Sequence, residues 1–185
     1  MPPALNFAPE LLLLAQGVRA AIFDVDGVLT DGRLFIGEHG ETFKAFHTLD
    51  GQGLKLLAAG GIEPVVISGR DSPALRRRLS DLGIARAALG VADKLQAAEP
   101  LLQQLQLTWS QLAVIGDDWP DLPLMHRARF ACAVPAAHVE VRAVAHHVTT
   151  RGGGDGAARE FCDLLLCAAG RYAELLRTQS GSLDR

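Results

Sequence analysis

The sequence predicts an α/β protein: a Rossmann-like, doubly wound parallel sheet with no cap domain and a β-hairpin flap after the first strand. Three observations carry this. Short, wholly apolar runs recur along the chain, each ends in Asp, Ser or Gly, and segments with helix start or stop signals lie between them. A continuous apolar run, unlike an alternating one, suits a strand buried on both faces, as in parallel sheets. Strands alternating with helices imply βαβ crossovers that cover both faces.

The first run is Ala20–Phe23, ending in carboxylates. Arg33 to His47 then breaks the alternation and reads as strand, turn and strand around Gly37-Glu38-His39-Gly40, with Leu34, Ile36, Phe43 and Phe46 as its apolar residues. That pattern fits a hairpin better than a helix. A helix is expected from Gly51 to Ala59, stopped by Gly60-Gly61. Another should run from Ser72 to Leu82, with Pro73 in its first turn and Gly83 as its stop. Between them Pro64–Ile67 is the second core strand, ending at Ser68. Asp93 to Leu105 reads as helix, and Leu112–Ile115 as a strand ending at Gly116. Phe130–Ala133 is a short strand, His138 to Ala143 a helix and His147–Thr149 a last extended piece. The run Arg151-Gly152-Gly153-Gly154-Asp155-Gly156 reads as flexible and feeds a helix from Ala157 to about Cys167. Residues 1–17 are expected as an N-terminal extension, 18–178 as one domain and 179–185 as a frayed tail.

Composition narrows the function classes. With 185 residues the chain suits one domain, and 49% hydrophobic residues provide a core. A net charge of −3 leaves no basic surplus for a polyanion, so nucleic acid is not an expected partner. Leu11–Leu14 is too short for a signal peptide or a membrane span. The three cysteines Cys132, Cys162 and Cys167 lack metal-ligand spacing and read as reduced, buried thiols, which implies a cytoplasmic protein. His47, His146 and His147 have no third ligand spaced with them and read as structural.

In a doubly wound sheet, ligands sit beyond the carboxyl ends of the strands. The first run delivers Asp24 and Asp26 there, the second Ser68, Gly69 and Arg70, and Leu112–Ile115 delivers Asp117 and Asp118 with Asp121 close behind. Lys94 starts its helix at the same edge. Carboxylates gathered so closely repel one another, and a hard divalent cation such as Mg2+ relieves this with oxygen ligands. Asp24 and Asp117 are the candidate carboxylate ligands, with the Asp26 backbone carbonyl as a third. Asp24 is then placed to attack phosphorus, Asp26 to act as general acid and base, and Ser68, the Gly69 N–H and Lys94 to hold phosphoryl oxygens.

These residues resemble the four motifs of the haloacid dehalogenase superfamily: Asp24-Val25-Asp26-Gly27-Val28-Leu29-Thr30, Ile67-Ser68-Gly69-Arg70, Lys94, and Gly116-Asp117-Asp118-Trp119-Pro120-Asp121. Longer stretches, Lys44 to Gly53, Asp121-Leu122-Pro123 and Gly152 to Glu160, are similar to a capless branch of that superfamily. Spacing agrees, since Ser68 follows Asp24 by 44 positions and Lys94 follows Ser68 by 26. The resemblance implies a magnesium-dependent phosphatase of an eight-carbon sugar acid phosphate, acting through an aspartyl-phosphate. Arg70 and Thr30 become candidate sugar contacts, Asp118 and Asp121 supporting loop residues. It also implies a homotetramer in which the apolar hairpin, residues 33–47, associates and a neighbouring subunit closes each site. A solvated hairpin of this kind would otherwise expose Phe and Ile. Arg70 could instead cap a helix or pair with Asp71, and Trp119 is expected to pack beside the Asp-Asp loop. Two alternatives stand beside this reading: a nine-carbon sugar acid 9-phosphate as substrate, and a non-catalytic oligomerisation module.

Overall fold

The computed structural model describes residues 3–181. The residues 182–185 of the expected frayed tail lie outside these. Six strands form one parallel sheet: β1 (Ala20–Phe23), β4 (Glu63–Ser68), β5 (Ala87–Leu89), β6 (Leu112–Gly116), β7 (Phe130–Ala133) and β8 (His147–Val148), in the order β5-β4-β1-β6-β7-β8. β1 is central, with Phe23 in register with Val66 of β4 on one side and Ile115 of β6 on the other. All four residues of β1 and all five of β6 are buried. Their apolar runs therefore carry no alternation. Chain progression reverses across β1: β4 and β5 extend one way, and β6, β7 and β8 the other. The carboxyl ends of β4, β1 and β6 thus open into a crevice at the switch point.

β2 (Phe35–Gly37) and β3 (Gly40–Phe43) form the expected hairpin, antiparallel and separate from the main sheet. Phe35 stacks on Phe43 with ring centroids 4.3 Å apart. Phe46 lies beyond the hairpin, packed against the core with the Arg78 guanidinium over its ring.

Helix α2 (Thr48–Ala59) begins earlier than Gly51 because His47 caps it, its Nδ1 accepting from the Leu49 N–H at 3.2 Å. α3 (Pro73–Leu82) has Ser72 as N-cap and Gly83 as a left-handed C-cap at φ 72°. α4 (Lys94–Leu105) is capped by Asp93, which accepts from the Gln96 N–H at 3.0 Å. α5 (Leu122–Met125), α6 (Val139–Val144) and α7 (Ala157–Ala168) follow. Among the elements unread in the sequence are α1 (Pro9–Ala15), which packs on α7; the half-buried edge strand β5; the short α5; and α8 (Tyr172–Gln179).

α2 and α7 lie against each other. A Cβ on Gly53 would stand 3.1 Å from the Arg159 Cα, and one on Gly60 would stand 2.3 Å from the Leu166 Cδ2. Gly156 precedes α7 and has no side chain to cap it. Asp50 of α2 supplies that cap from across the interface, accepting from the Arg159 N–H at 2.8 Å and the Gly156 N–H at 3.3 Å. The glycine run before α7 is also not the flexible segment expected. The Gly154 N–H donates to the Val28 carbonyl at 2.9 Å, and Gly153 and Gly154 lie directly on the backbone of Gly27, Thr30 and Asp31.

Candidate active site

Asp24 directly follows β1. Its backbone N–H donates to the Ile115 carbonyl at 3.2 Å, which continues the sheet ladder one residue past the strand. Its side chain, 8% exposed, meets Lys94 from the first position of α4, whose Nζ donates to Asp24 Oδ1 at 2.5 Å and to Asp121 Oδ1 at 2.7 Å. The second Asp121 oxygen accepts from the backbone N–H groups of Asp117 at 3.1 Å and Asp118 at 3.4 Å. Asp121 therefore spends both oxygens tying the loop after β6 to Lys94. Gly116 makes this possible, since a Cβ there would come within 2.5 Å of Asp121. Asp118 turns away and accepts from the Trp119 N–H at 2.8 Å. Trp119 is exposed and its Nε1 donates to His138 Nδ1 at 2.9 Å.

Asp24, Asp117 and Asp121 each bring one carboxylate oxygen within 4.8 Å of the others. Burial, then the charges of Asp24 and Asp121, pushes Asp117 up to about 8; burial and Asp121 push Asp24 to about 6, against the pull of Lys94. Burial pulls the Lys94 ammonium down, but Asp24 and Asp121 outweigh it and hold it charged. One lysine thus leaves this acidic group short of positive charge. The backbone leaves room for the arrangement: Gly27, at φ 99°, sits so close that a Cβ would stand 2.0 Å from Asp117 Oδ2. A hard divalent cation fits a site of this kind.

Ser68 closes β4 and is buried, its Oγ accepting from the Arg70 N–H at 3.2 Å, which leaves the hydroxyl proton to donate. Gly69 follows it and is exposed. Arg70 does not pair with Asp71, which is held by Arg76. Instead Arg70 Nη2 donates to Glu41 Oε2 at 3.1 Å, and its Nε lies 3.7 Å from Asp26 Oδ2. Thr30, a candidate sugar contact in the sequence, is engaged within its own loop. Its hydroxyl is buried, donates to the Val25 carbonyl and accepts from the N–H groups of Gly27 and Gly32, so it organises the loop that carries Asp26.

Asp26 Oδ1 pairs with Lys44, a residue given no role in the sequence reading although it lies within a matched stretch. Glu41 was missed as well. Only the hairpin fold brings these two to the site, and no local pattern marks them. The histidines hold structure: His146 Nδ1 accepts from the Ala131 N–H while its ring stacks on Phe130, and His147 pairs with Glu160.

This sheet, with Asp-x-Asp after its central strand, Ser and Asp-Asp after the flanking strands and a lysine reaching across, defines a haloacid dehalogenase-like hydrolase. A family model described as haloacid dehalogenase-like hydrolase matches residues 90–161. The 3-deoxy-D-manno-octulosonate 8-phosphate phosphatase of Haemophilus influenzae is 44% identical over 156 residues, 84% of this chain and 87% of that protein. The crystal structure of the protein of the same name from Yersinia pestis superposes with a TM-score of 0.87 at 40% identity, covering 90% of each chain. That from Moraxella catarrhalis, in complex with magnesium ion, phosphate ion and KDO, gives 0.87 at 39% identity, covering 92% of this chain and 98% of the other. The chain belongs to this family, in the branch that holds the 3-deoxy-D-manno-octulosonate 8-phosphate phosphatases.

Proposed function

We propose that the protein is a magnesium-dependent phosphatase that hydrolyses 3-deoxy-D-manno-octulosonate 8-phosphate to the free sugar acid and phosphate, a step in lipopolysaccharide biosynthesis. The observation that carries the reading is the Asp24–Lys94–Asp117 group, its first two members buried, at the switch point of a capless sheet, in a chain whose relatives bear that name over most of their length.

Asp24 and Asp117 keep carboxylate lone pairs uncommitted to Lys94 or to backbone N–H groups, so they would hold the cation, with the Asp26 backbone carbonyl as a third ligand. Bound magnesium supplies positive charge beside the phosphoryl oxygens and neutralises the facing carboxylates. Asp24 attacks phosphorus, forming an acyl-phosphate as the phosphorus–oxygen bond to the sugar breaks. The departing electron pair takes its proton from the Asp26 carboxyl. Asp26, now a carboxylate, removes a proton from water, which attacks phosphorus, breaks the acyl-phosphate bond and frees phosphate and Asp24. The Ser68 hydroxyl, the Gly69 N–H and Lys94 hold the phosphoryl oxygens as charge builds on them. Arg70, bridging Glu41 and Asp26 at the rim, is our candidate for the sugar carboxylate, because its side chain is nearly half exposed.

The enzyme is a cytoplasmic homotetramer in this reading. Ile36 at 63% exposure and Phe43 at 53% present an apolar hairpin face that association would bury, and the capless crevice needs a neighbouring subunit to exclude water. No helix among the described residues is long and apolar enough to cross a membrane. The site residues all stand, which sets aside a non-catalytic module. With magnesium, the protein should release phosphate from the eight-carbon substrate far faster than from a nine-carbon sugar acid 9-phosphate or common sugar phosphates. Asp24→Asn should abolish turnover. Equal rates across the panel, or an active Asp24→Asn variant, would overturn the assignment.

A further inference from the structure

Lys44 leaves the hairpin one residue after β3, and its side chain is only 2% exposed. Its Nζ ion-pairs with Asp26 Oδ1 and lies 3.2 Å from Glu41 Oε2. Glu41 is itself 9% exposed at the side chain and accepts from Arg70 at 3.1 Å, while the other Asp26 oxygen faces Arg70 at 3.7 Å. Two carboxylates and two cations therefore alternate around a closed circuit, with three of the four members largely buried. Glu41 Oε2 faces the Lys44 ammonium and the Arg70 guanidinium at once, and the Ser72 hydroxyl also bonds this carboxylate, so Glu41 fixes where Lys44 stands.

Asp26 sits on a loop beyond β1, and among the described residues no backbone N–H is bound to its carboxylate. Its orientation is set by Lys44 and Arg70 alone among the hydrogen bonds and ion pairs of the described residues. Lys44 is the buried partner of the two, and among the described residues it makes no hydrogen bond or ion pair with Asp24. We propose that Lys44, braced by Glu41, is a positioning residue that aims the Asp26 carboxyl at the leaving oxygen, which makes the hairpin part of the catalytic apparatus. This rests on the phosphatase reading above, with Asp26 as general acid. A group used in proton transfer must be held to within about 0.5 Å of its productive geometry, and a buried ammonium bonded to Oδ1 does this while Oδ2 remains to carry the proton.

The test exploits leaving-group chemistry. A 4-nitrophenyl phosphate expels an oxyanion that needs no proton, whereas the sugar 8-phosphate expels a primary alkoxide that does. kcat/KM is measured with magnesium for wild type, Lys44→Met, Lys44→Arg and Glu41→Gln on both substrates. Lys44→Met should lose roughly 100-fold or more on the sugar phosphate, the scale of general-acid catalysis, but less than about tenfold on the aryl ester, with KM nearly unchanged. Lys44→Arg should recover much of the loss, and Lys44→Met should add nothing to Asp26→Asn. Equal losses on both substrates, or a loss confined to KM, would overturn the proposal. Should Lys44→Met fail to fold, Glu41→Gln decides by the same selectivity. An inactive wild type or an active Asp24→Asn would instead mark failure of the phosphatase reading.

Discussion

Replacing Gly153 with alanine tests how the catalytic loop is held. A Cβ there would stand 1.8 Å from the Gly27 carbonyl oxygen, 2.6 Å from its carbonyl carbon and 3.0 Å from the Thr30 oxygen. All three are backbone atoms, so no side chain can swing away. Ordinary carbon–oxygen contact begins near 3.4 Å, and the two segments must part by at least about 1.5 Å. Gly27 adjoins Asp26 and lies against the Asp117 carboxylate, so the displacement falls on both groups. A misplacement of about 1 Å costs on the order of 100-fold in rate, and overpacking of this kind costs about 1–3 kcal/mol of stability. Gly153→Ala should therefore lose about 100-fold in kcat/KM for phosphate release and melt several degrees lower. Gly152→Ala is the matched control, because nothing lies within 4 Å of its Cβ position. A Gly153→Ala enzyme within threefold of wild type, with an unchanged Tm, would refute the idea that the glycine run buttresses the loop.

Other expectations concern charge, capping and assembly. The folded pKa values of Asp117, about 8, and Asp24, about 6, lie above the unfolded 3.8, so their contribution to the stability of the metal-free protein is fully present below about pH 3.8 and is lost as pH rises through 6 and then 8. Magnesium replaces those protons, so the Tm gain it confers should be larger at pH 8 than at pH 6; a pH-independent gain in thermal melts would contradict this. Asp50→Ala strands the N–H groups of Gly156 and Arg159 at the start of α7 and should cost about 2–3 kcal/mol, seen as a Tm roughly 5–10 °C lower. Ile36→Asp places a charge on the hairpin's apolar face and should yield a smaller species in sedimentation velocity if the proposed tetramer assembles through that face.

The meeting of Asp24, Lys94 and Asp117 is legible in the sequence because it follows from where local runs end. The apolar runs of β1, β4 and β6 are uninterrupted since both faces of a parallel sheet are buried, and the residue after each run necessarily falls at one edge. Asp24, Ser68, Lys94 and Asp117 could thus be brought together before any coordinates. Weak local signals hid other parts. β5 is three half-buried residues at a sheet edge, and α1 carries four consecutive leucines with no helical periodicity.

Tertiary structure alone decided which groups support the site. Lys44 meets Asp26 across 18 positions, Asp50 caps a helix more than 100 positions away, and Gly153 meets Gly27 from the far end of the chain. None of these pairings leaves a periodic or compositional trace, because each is a single contact between segments that the sheet topology brings together. Thr30 shows the same limit from the other side: a hydroxyl beside a catalytic motif is free for substrate or consumed by the loop according to where three backbone groups point. Composition cannot register that direction.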